Sequence, residues 1–395
     1  MATAAASPKG GVFWSTVNGG ASVLLPFAVF AGFARMMTPS ELSLVLLAVA
    51  MLQLLEAFGP QGIYDVLLLY REDQQRYYRT AGTLFLGGGV ILAFVYMAGI
   101  AFSAWILGKQ LPLVLLVLAL KVVFDYALFQ PQAVLVKRGA VRRLGMRGLA
   151  AGLGAGASGL LVAMVTTPIV GLTAYYLLQS AVAFLMTAFG TGSLIRPGWD
   201  GQAAAEMAQQ GARASGVRLS AAVSNYLDQL LVGSMMAGAL VGAYNLGKRL
   251  EVVSMTIGSS FSQFLFQPTF VNAEPGQRVA HIGRGMAAIT LVCGVPSVLL
   301  AVFHNEAVPL VFGSQWAGAA LTAALLTGSG YVRAIGGVAG ALYTVTGRNG
   351  RLLALSAFGA ATNMLMIVIF ARFGVLWAAG AVLVRNSVQT VFMVF

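Results

Sequence analysis

The sequence predicts an all-α integral membrane protein, with about twelve transmembrane helices in two six-helix lobes related by a pseudo-two-fold axis along the membrane normal. Three observations carry this. Apolar residues make up 58% of the 395 residues and charged ones only 9%, with a mean hydropathy of +0.84; a soluble domain carries roughly a quarter charged residues. The apolar runs are continuous over about 18 to 25 residues, the length of a spanning helix, and lack the two-residue alternation of a membrane barrel. The runs also come twice in the same order. Met36-Met37-Thr38-Pro39 is answered half a chain later by Met235-Met236-Ala237-Gly238, Gly108-Lys109-Gln110 by Gly313-Ser314-Gln315, and Arg143-Leu144 by Arg351-Leu352. A tandem pair of multi-span units is the usual plan of a secondary transporter, with the substrate site between the copies.

In chain order the spans are expected near 11–33, 41–68, 80–106, 111–134, 145–166 and 170–195, then 217–237, 243–271, 285–304, 316–344, 351–370 and 373–395. The first follows a lone Lys9, is about twice the length of a signal-peptide core and lacks a small-x-small cleavage site, so it reads as a retained span. Pro60 with Gly62, and Pro268, predict kinks in the long second and eighth spans. The lobes are therefore 1–195 and 217–395. Between them, 196–216 is a polar cytoplasmic linker with Asp200, Glu206 and Gln209-Gln210, and its Ala/Glu/Gln content predicts a short surface helix.

The net charge of +12 would suggest nucleic acid in a soluble protein. Its placement has a simpler cause. Loops on the side of the N-terminus hold Lys9, Arg71, Arg76, Arg79, Lys137, Arg138, Arg142, Arg143, Arg147, Arg196, Arg213, Arg218, Arg278, Arg284, Arg348 and Arg351, while the opposite side holds only Arg35, Lys109 and Arg372. By the positive-inside rule both termini face the cytoplasm, and no nucleic-acid partner is needed. The outer loops are short, the longest running from Phe303 to Gln315, which argues against an attached ATPase or an enzyme built on outer loops. The single cysteine, Cys293, lies inside an apolar run and forms no intrachain disulfide.

Two motifs look chemical. Gly242 to Arg249 matches a phosphate-binding loop except that Arg249 stands where a magnesium-holding hydroxyl belongs, and the stretch opens a span instead of following a strand. Gly154 to Gly159 spells a dinucleotide fingerprint in mid-span; Gly152, Ala155, Gly156 and Gly159 make a small-residue face for close helix packing. His281 and His304 fall on opposite sides of the membrane, so no metal site is expected, and no cofactor is implied.

The chemistry is expected from charges inside the spans: Lys121, Lys248, Arg249, Arg333 and Arg385 against Glu56, Asp65, Asp125, Asp228 and Glu251. A charge at bilayer depth costs about 2.5–3.5 kcal/mol on the lenient insertion scale, so each should face a partner or a wet cavity. Lys121 and Asp125, four apart, can pair along one helix. Lys248, Arg249 and Glu251 lie near a span's beginning, where Lys248 can snorkel to headgroups, and Asp65 is close to the inner face. Glu56, Asp228, Arg333 and Arg385 have no opposite charge within a turn on their own spans, so their partners must come from other spans, substrate or water. Cations in a low-dielectric cleft favour an anion, and the forked arginine donors suit phosphate. Arg333, Lys121, Arg385 and Arg249 are thus the substrate-binding candidates, and Asp228, Glu56 and Asp125 the candidates for proton or sodium coupling or for sugar hydrogen bonds.

Three stretches resemble a known family. Gly11-Val12-Phe13-Trp14-Ser15 followed by Ala34 to Glu41 resembles the opening of the bacterial polysaccharide-transporter flippases. Ser224 to Gly233 followed by Gly242 to Leu250 resembles their middle signature, and Val308 to Trp316 their later outer-loop motif. The resemblance implies the multidrug/oligosaccharidyl-lipid/polysaccharide exporter superfamily. It implies alternating-access flipping of polyprenyl-diphosphate-linked O-antigen or exopolysaccharide units from the inner to the outer leaflet, with membrane lipids and glycan-assembly proteins as partners. Asp228 is the one acidic intramembrane candidate inside a matching motif. Many relatives carry further spans beyond the point that Phe395 marks here. The alternatives are a drug or organic-cation antiporter of the same architecture, a membrane-embedded glycan polymerase or ligase, which would need a sizeable outer loop, and an uncoupled lipid scramblase.

Overall fold

The computed structural model describes residues 23–70, 74–108, 110–191, 197–261, 277–345 and 349–394. Among these no strand occurs, and eight helices are long and apolar enough to cross a membrane, joined by a shorter apolar helix, Val23–Met36. The expected Pro268 kink, the Gly11–Ser15 motif and the loop cations Lys9, Arg71, Lys109, Arg196 and Arg348 lie outside the described residues. By contacts the chain divides into two units, Met1–Phe33 with Ala48–Ala222, and Ala34–Leu47 with Val223–Phe395.

The first unit comprises most of α1 (Val23–Met36), the end of α2 (Pro39–Glu56), α3 (Gly62–Leu67), α4 (Gln75–Ala101), α5 (Ser103–Leu107), α6 (Leu118–Lys137), α7 (Val141–Val165), α8 (Pro168–Thr191) and α9 (Gly201–Ala222). Where one kinked span is expected over 41–68, the chain instead stops at Glu56 and restarts at Gly62. The Glu56 carbonyl, left over at the helix end, accepts from Gly59 N (3.1 Å), Gln61 Nε2 (3.0 Å) and the Tyr126 hydroxyl, so the break is satisfied internally. A side chain at Gly59 would collide with that hydroxyl.

The small-residue face of α7 does what close packing requires. A Cβ at Gly152 would strike Leu25, one at Gly156 would strike Val29, and one at Gly159 would strike Tyr175 of α8. Of the fingerprint glycines, Gly156 and Gly159 are packing residues, whereas a Cβ at Gly154 would meet nothing. The stretch expected as a short linker helix is longer: α9 runs 22 residues and is tied to the first unit. Asp200 caps it through Ala203 N (3.0 Å), Thr83 and Gly198 exchange two hydrogen bonds, Tyr77 donates to Glu206 (2.6 Å), and Gly62 crosses Gly211 at backbone contact. Arg218 reaches Asp65 at 2.8 Å, which accounts for that acid.

The second unit holds α10 (Asp228–Met235), α11 (Gly238–Phe261), α12 (Arg278–Ile289), α13 (Val295–Val302), α14 (His304–Phe312), α15 (Ala320–Val345), α16 (Asn349–Phe370), α17 (Val375–Val394) and the start of α2. A π-turn at Val223–Leu227 leads into α10. The expected outer loop is itself helical, as α14 and a 3₁₀ turn at Ser314–Ala319. It is locked reciprocally: Trp316 Nε1 (2.8 Å) and Gln315 Nε2 (3.0 Å) donate to the Ala34 carbonyl, while Arg35 donates to the carbonyls of Val311 (2.9 Å) and Leu310. Each set satisfies carbonyls left open at the other helix's C-terminus.

Large apolar side chains stand exposed along the spans of both units, Phe94, Leu161, Met164 and Phe189 in the first, Val298, Leu365 and Val391 in the second. Such surface is tolerable only in lipid. The chain is a multi-pass membrane protein.

Candidate functional site

Each unit buries its own charge cluster. In the second unit, α11 places Tyr244, Lys248 and Glu251 at i, i+4 and i+7, hence on one face. The Lys248 ammonium lies 2.9 Å from Asp228 Oδ2 and 2.6 Å from Glu251 Oε2, and all three side chains are essentially inaccessible. Tyr244 donates to Asp228 Oδ2 at 2.9 Å. On the far side of the cluster Glu251 Oε1 accepts from Arg333 Nη1 (3.1 Å), Ser329 Oγ (3.2 Å) and Asn386 Nδ2 (3.4 Å). Arg333 Nη2 continues to Asn225 Oδ1, on the π-turn. Five segments meet here.

Small residues allow the approach. A Cβ at Gly330 would meet the Glu251 backbone, at Gly247 it would strike Leu326, and at Gly258 it would strike Ala334, so α11 and α15 touch along a glycine seam. Beside the cluster lies an apolar core of Leu47, Val232, Val241, Tyr244, Leu326 and Ile367. Water is thereby kept from Asp228 and Glu251, and their pairing with Lys248 and Arg333 offsets the cost of desolvating them.

In the first unit Lys121 of α6 pairs with Asp125 on its own helix and lies 3.5 Å from Glu56 at the end of α2. Two carboxyl groups, at 14% and 26% exposure, share one ammonium.

The sequence candidates therefore fall into two sets. Glu56, Lys121 and Asp125 are brought together in the first unit; Asp228 and Arg333 are brought together in the second, through Lys248 and Glu251. Arg385 borders the second set through Asn386. Arg249 stands about 100° around the helix from Lys248 and is half-buried off that face. Lys248 and Glu251 are not at a span's beginning, because α11 starts earlier, at Gly238; at 2% exposure Lys248 does not snorkel. Sequence reasoning undervalued these two, although their i, i+3 spacing and the tyrosine four residues before Lys248 were a readable signal. Asn225 lies inside the Ser224–Gly233 stretch but was not singled out there, and nothing in the sequence marked Ser329 or Asn386.

The phosphate-loop likeness ends here as well, since its lysine is Lys248, bound to two carboxylates, and its Gly242 lies against the Pro39 carbonyl. Among the described residues no group of histidine, cysteine or acidic side chains could hold a metal. An apolar groove of about 780 Å³ in the first unit, lined by residues such as Met51, Gly99, Phe102 and Trp105, carries no charged group.

The described stretches that carry the family resemblance, Ala34 to Glu41, Ser224 to Gly233, Gly242 to Leu250 and Val308 to Trp316, all lie in the second unit. Ala34 and Arg35 meet Leu310, Val311, Gln315 and Trp316, while Gly233 and Gly242 lie against Leu47 and Pro39. Residues 33–321 match a protein family described as polysaccharide biosynthesis protein. No curated protein matches the chain by sequence. Among solved structures it is similar to a lipid II flippase, MurJ, in an inward closed conformation, with a TM-score of 0.76 at 11% identity over 97% of this chain and 87% of that one. It is also similar to an outward-facing multidrug resistance MATE family transporter of the MOP superfamily, with a TM-score of 0.63 at 13% identity over 98% of this chain and 94% of that one. A mutant of the Vibrio cholerae MATE transporter VcmN gives a TM-score of 0.61 at 14% identity, over 97% of this chain and 93% of that one. At these identities the likeness is one of fold, and the fold is that of the MurJ and MATE transporters.

Proposed function

Because the chain belongs to the polysaccharide biosynthesis protein family, we propose that it is a flippase, carrying polyprenyl-diphosphate-linked oligosaccharide from the inner to the outer leaflet by alternating access. The observation that carries this is the buried cluster of Asp228, Lys248, Glu251 and Arg333 in a chain with the MurJ fold. Ionisable groups are costly to desolvate, and a transporter of a charged, sugar-bearing headgroup has a use for them.

In this reading the cell membrane is the bacterial inner membrane, with both termini cytoplasmic, and the lipid portion of the substrate stays in the bilayer. The chain acts by transport, without making or breaking covalent bonds. Arg333, at 20% exposure the most accessible cation of the second cluster, meets the anionic headgroup. Glu56, Asp125 and Asp228 serve coupling to proton or sodium, or hydrogen bonding to sugar. Glycan-assembly proteins hand over and receive the substrate.

The test is genetic and chemical. Deleting the gene should trap lipid-linked oligosaccharide on the cytoplasmic leaflet, and Arg333→Ala should reproduce this with normal membrane insertion. Unchanged glycan export in that variant would remove Arg333 from the role. The MATE likeness keeps a drug or organic-cation antiporter as the second reading; drug sensitivity in the deletion strain with normal surface glycan would favour it.

A further inference from the structure

The charges of the first unit are not spread evenly. Lys137, Arg138, Arg142, Arg143 and Arg147 fall within eleven consecutive residues, and no aspartate or glutamate occurs anywhere between Asp125 and Asp200. Gly139, at a φ of +60°, turns the chain back between α6 and α7, and Ala140 N donates to the Leu135 carbonyl (3.0 Å) across the turn. The cations of both helix ends therefore stand around one short turn. Among the described residues the acids of this unit are held elsewhere. Glu56 and Asp125 lie against Lys121, Asp65 is held by Arg218, Glu206 accepts from Tyr77 and Gln202, and Asp200 caps α9 at Ala203 N. The stretch 68–79 sets Arg71, Arg76 and Arg79 against Glu72 and Asp73, so it adds no net negative charge.

Two of these cations turn inward: Lys137 lies over the Tyr78 ring, 5.6 Å from its centre, and Arg147 donates to Gln132 Oε1 at 2.8 Å. Arg138, Arg142 and Arg143 are exposed. What they face follows from the rest of α7. At about 100° per residue, Arg142, Met146, Leu153, Leu161 and Met164 fall within one arc of roughly 100°, and all five are exposed. The apolar part of that stripe faces acyl chains, as the exposed apolar surface of any spanning helix does. Arg142 continues the same stripe one turn beyond Met146, at the level where lipid headgroups lie. A soluble acidic partner would need no acyl-facing wall beneath its cations. A lipid needs both.

We propose that the α6–α7 turn is a binding site for anionic phospholipid in the leaflet it faces, with Arg138, Arg142 and Arg143 meeting the headgroup phosphate and Met146 and Leu153 the acyl chain below it. The planar fork of arginine takes two phosphate oxygens at once, and each cation at an anionic surface strengthens association about fivefold. The occupant is bulk lipid of the bilayer, not the transported molecule. The inference rests on the geometry of the first unit alone and is independent of the flippase reading.

The test uses the full chain in nanodiscs of equimolar phosphatidylcholine and phosphatidylglycerol, with a spin label on one lipid or the other. The share of label immobilised by the protein gives the preference for phosphatidylglycerol. Wild type should show a preference that fades at high salt. Arg142→Gln with Arg143→Gln should lower it about fivefold or more, while Arg142→Lys with Arg143→Lys should keep most of it. The control removes as much charge from exposed cations of the second unit: Arg284→Gln with Arg351→Gln should leave the preference nearly unchanged. Thermal unfolding in parallel should show phosphatidylglycerol raising the unfolding temperature of wild type and not of the Arg142→Gln, Arg143→Gln variant; an unaltered unfolding temperature of that variant in pure phosphatidylcholine shows that it is folded. An equal loss of preference in the second-unit control would make the effect one of total charge and overturn the proposal. So would a wild type without preference, or one from which soluble polyglutamate displaces phosphatidylglycerol, which would assign the turn to an acidic protein partner.

Discussion

The Lys248 ammonium neutralises two carboxylates that have no exposure of their own. Lys248→Met should therefore destabilise the protein by about 3–5 kcal/mol, the usual cost of orphaning a buried charge, read by denaturation in detergent; a loss under about 1 kcal/mol would mean that water reaches Asp228 and Glu251. That these side chains are charged, apolar-flanked and in need of partners was legible in the sequence. Which partner each would find was not. Asp228 and Lys248, or Glu251 and Arg333, sit on different helices, and only the packing of α10, α11 and α15 decides which face meets which. Arg249 shows the limit clearly: one residue from Lys248 and chemically similar, it lies on another face of the same helix.

Among the elements, glycine positions set how closely helices approach. Gly330→Val would push α15 off the Glu251 backbone and should cost about 1–3 kcal/mol as overpacking, together with weakened coupling between Glu251 and Arg333 in a double-mutant cycle; an unaltered cycle would show that the seam does not position the cluster. Trp316→Phe keeps an aromatic ring but removes the donor to the Ala34 carbonyl. It should cost about 0.5–1.5 kcal/mol and speed amide exchange at the end of α1, and unchanged exchange there would count against the reciprocal lock. Most elements were readable from hydropathy, and the packing role of Gly152, Gly156 and Gly159 from their spacing. The break after Glu56 was harder. Pro60 signalled a disturbance, but a kink became a full interruption because Tyr126, far along the chain, supplies a hydroxyl to the vacated carbonyl. The linker helix α9 was underestimated for a related reason: its length depends on contacts with α3 and α4 that composition does not display.

For the whole molecule, the fold class followed from apolar run length and the family from a few short stretches. Those stretches touch one another: the Ala34–Glu41, Ser224–Leu250 and Val308–Trp316 segments share one unit and lock its helix ends together. They report the architecture of that unit, in which Asp228 lies inside a motif and Arg385 does not. Among the described residues the first unit sets two carboxylates around Lys121, and the second sets Lys248 and Arg333 against Asp228 and Glu251.

Transport itself is open to direct assay with purified protein in liposomes loaded on one leaflet with a short-chain, fluorescent polyprenyl-diphosphate oligosaccharide, by the rate at which label becomes accessible on the other leaflet. A flippase of this design should transfer label well above protein-free liposomes, and the rate should fall strongly in Arg333→Ala. Transfer no faster than in empty liposomes, with the same protein exchanging organic cations, would show that the chain is not a glycan-lipid flippase.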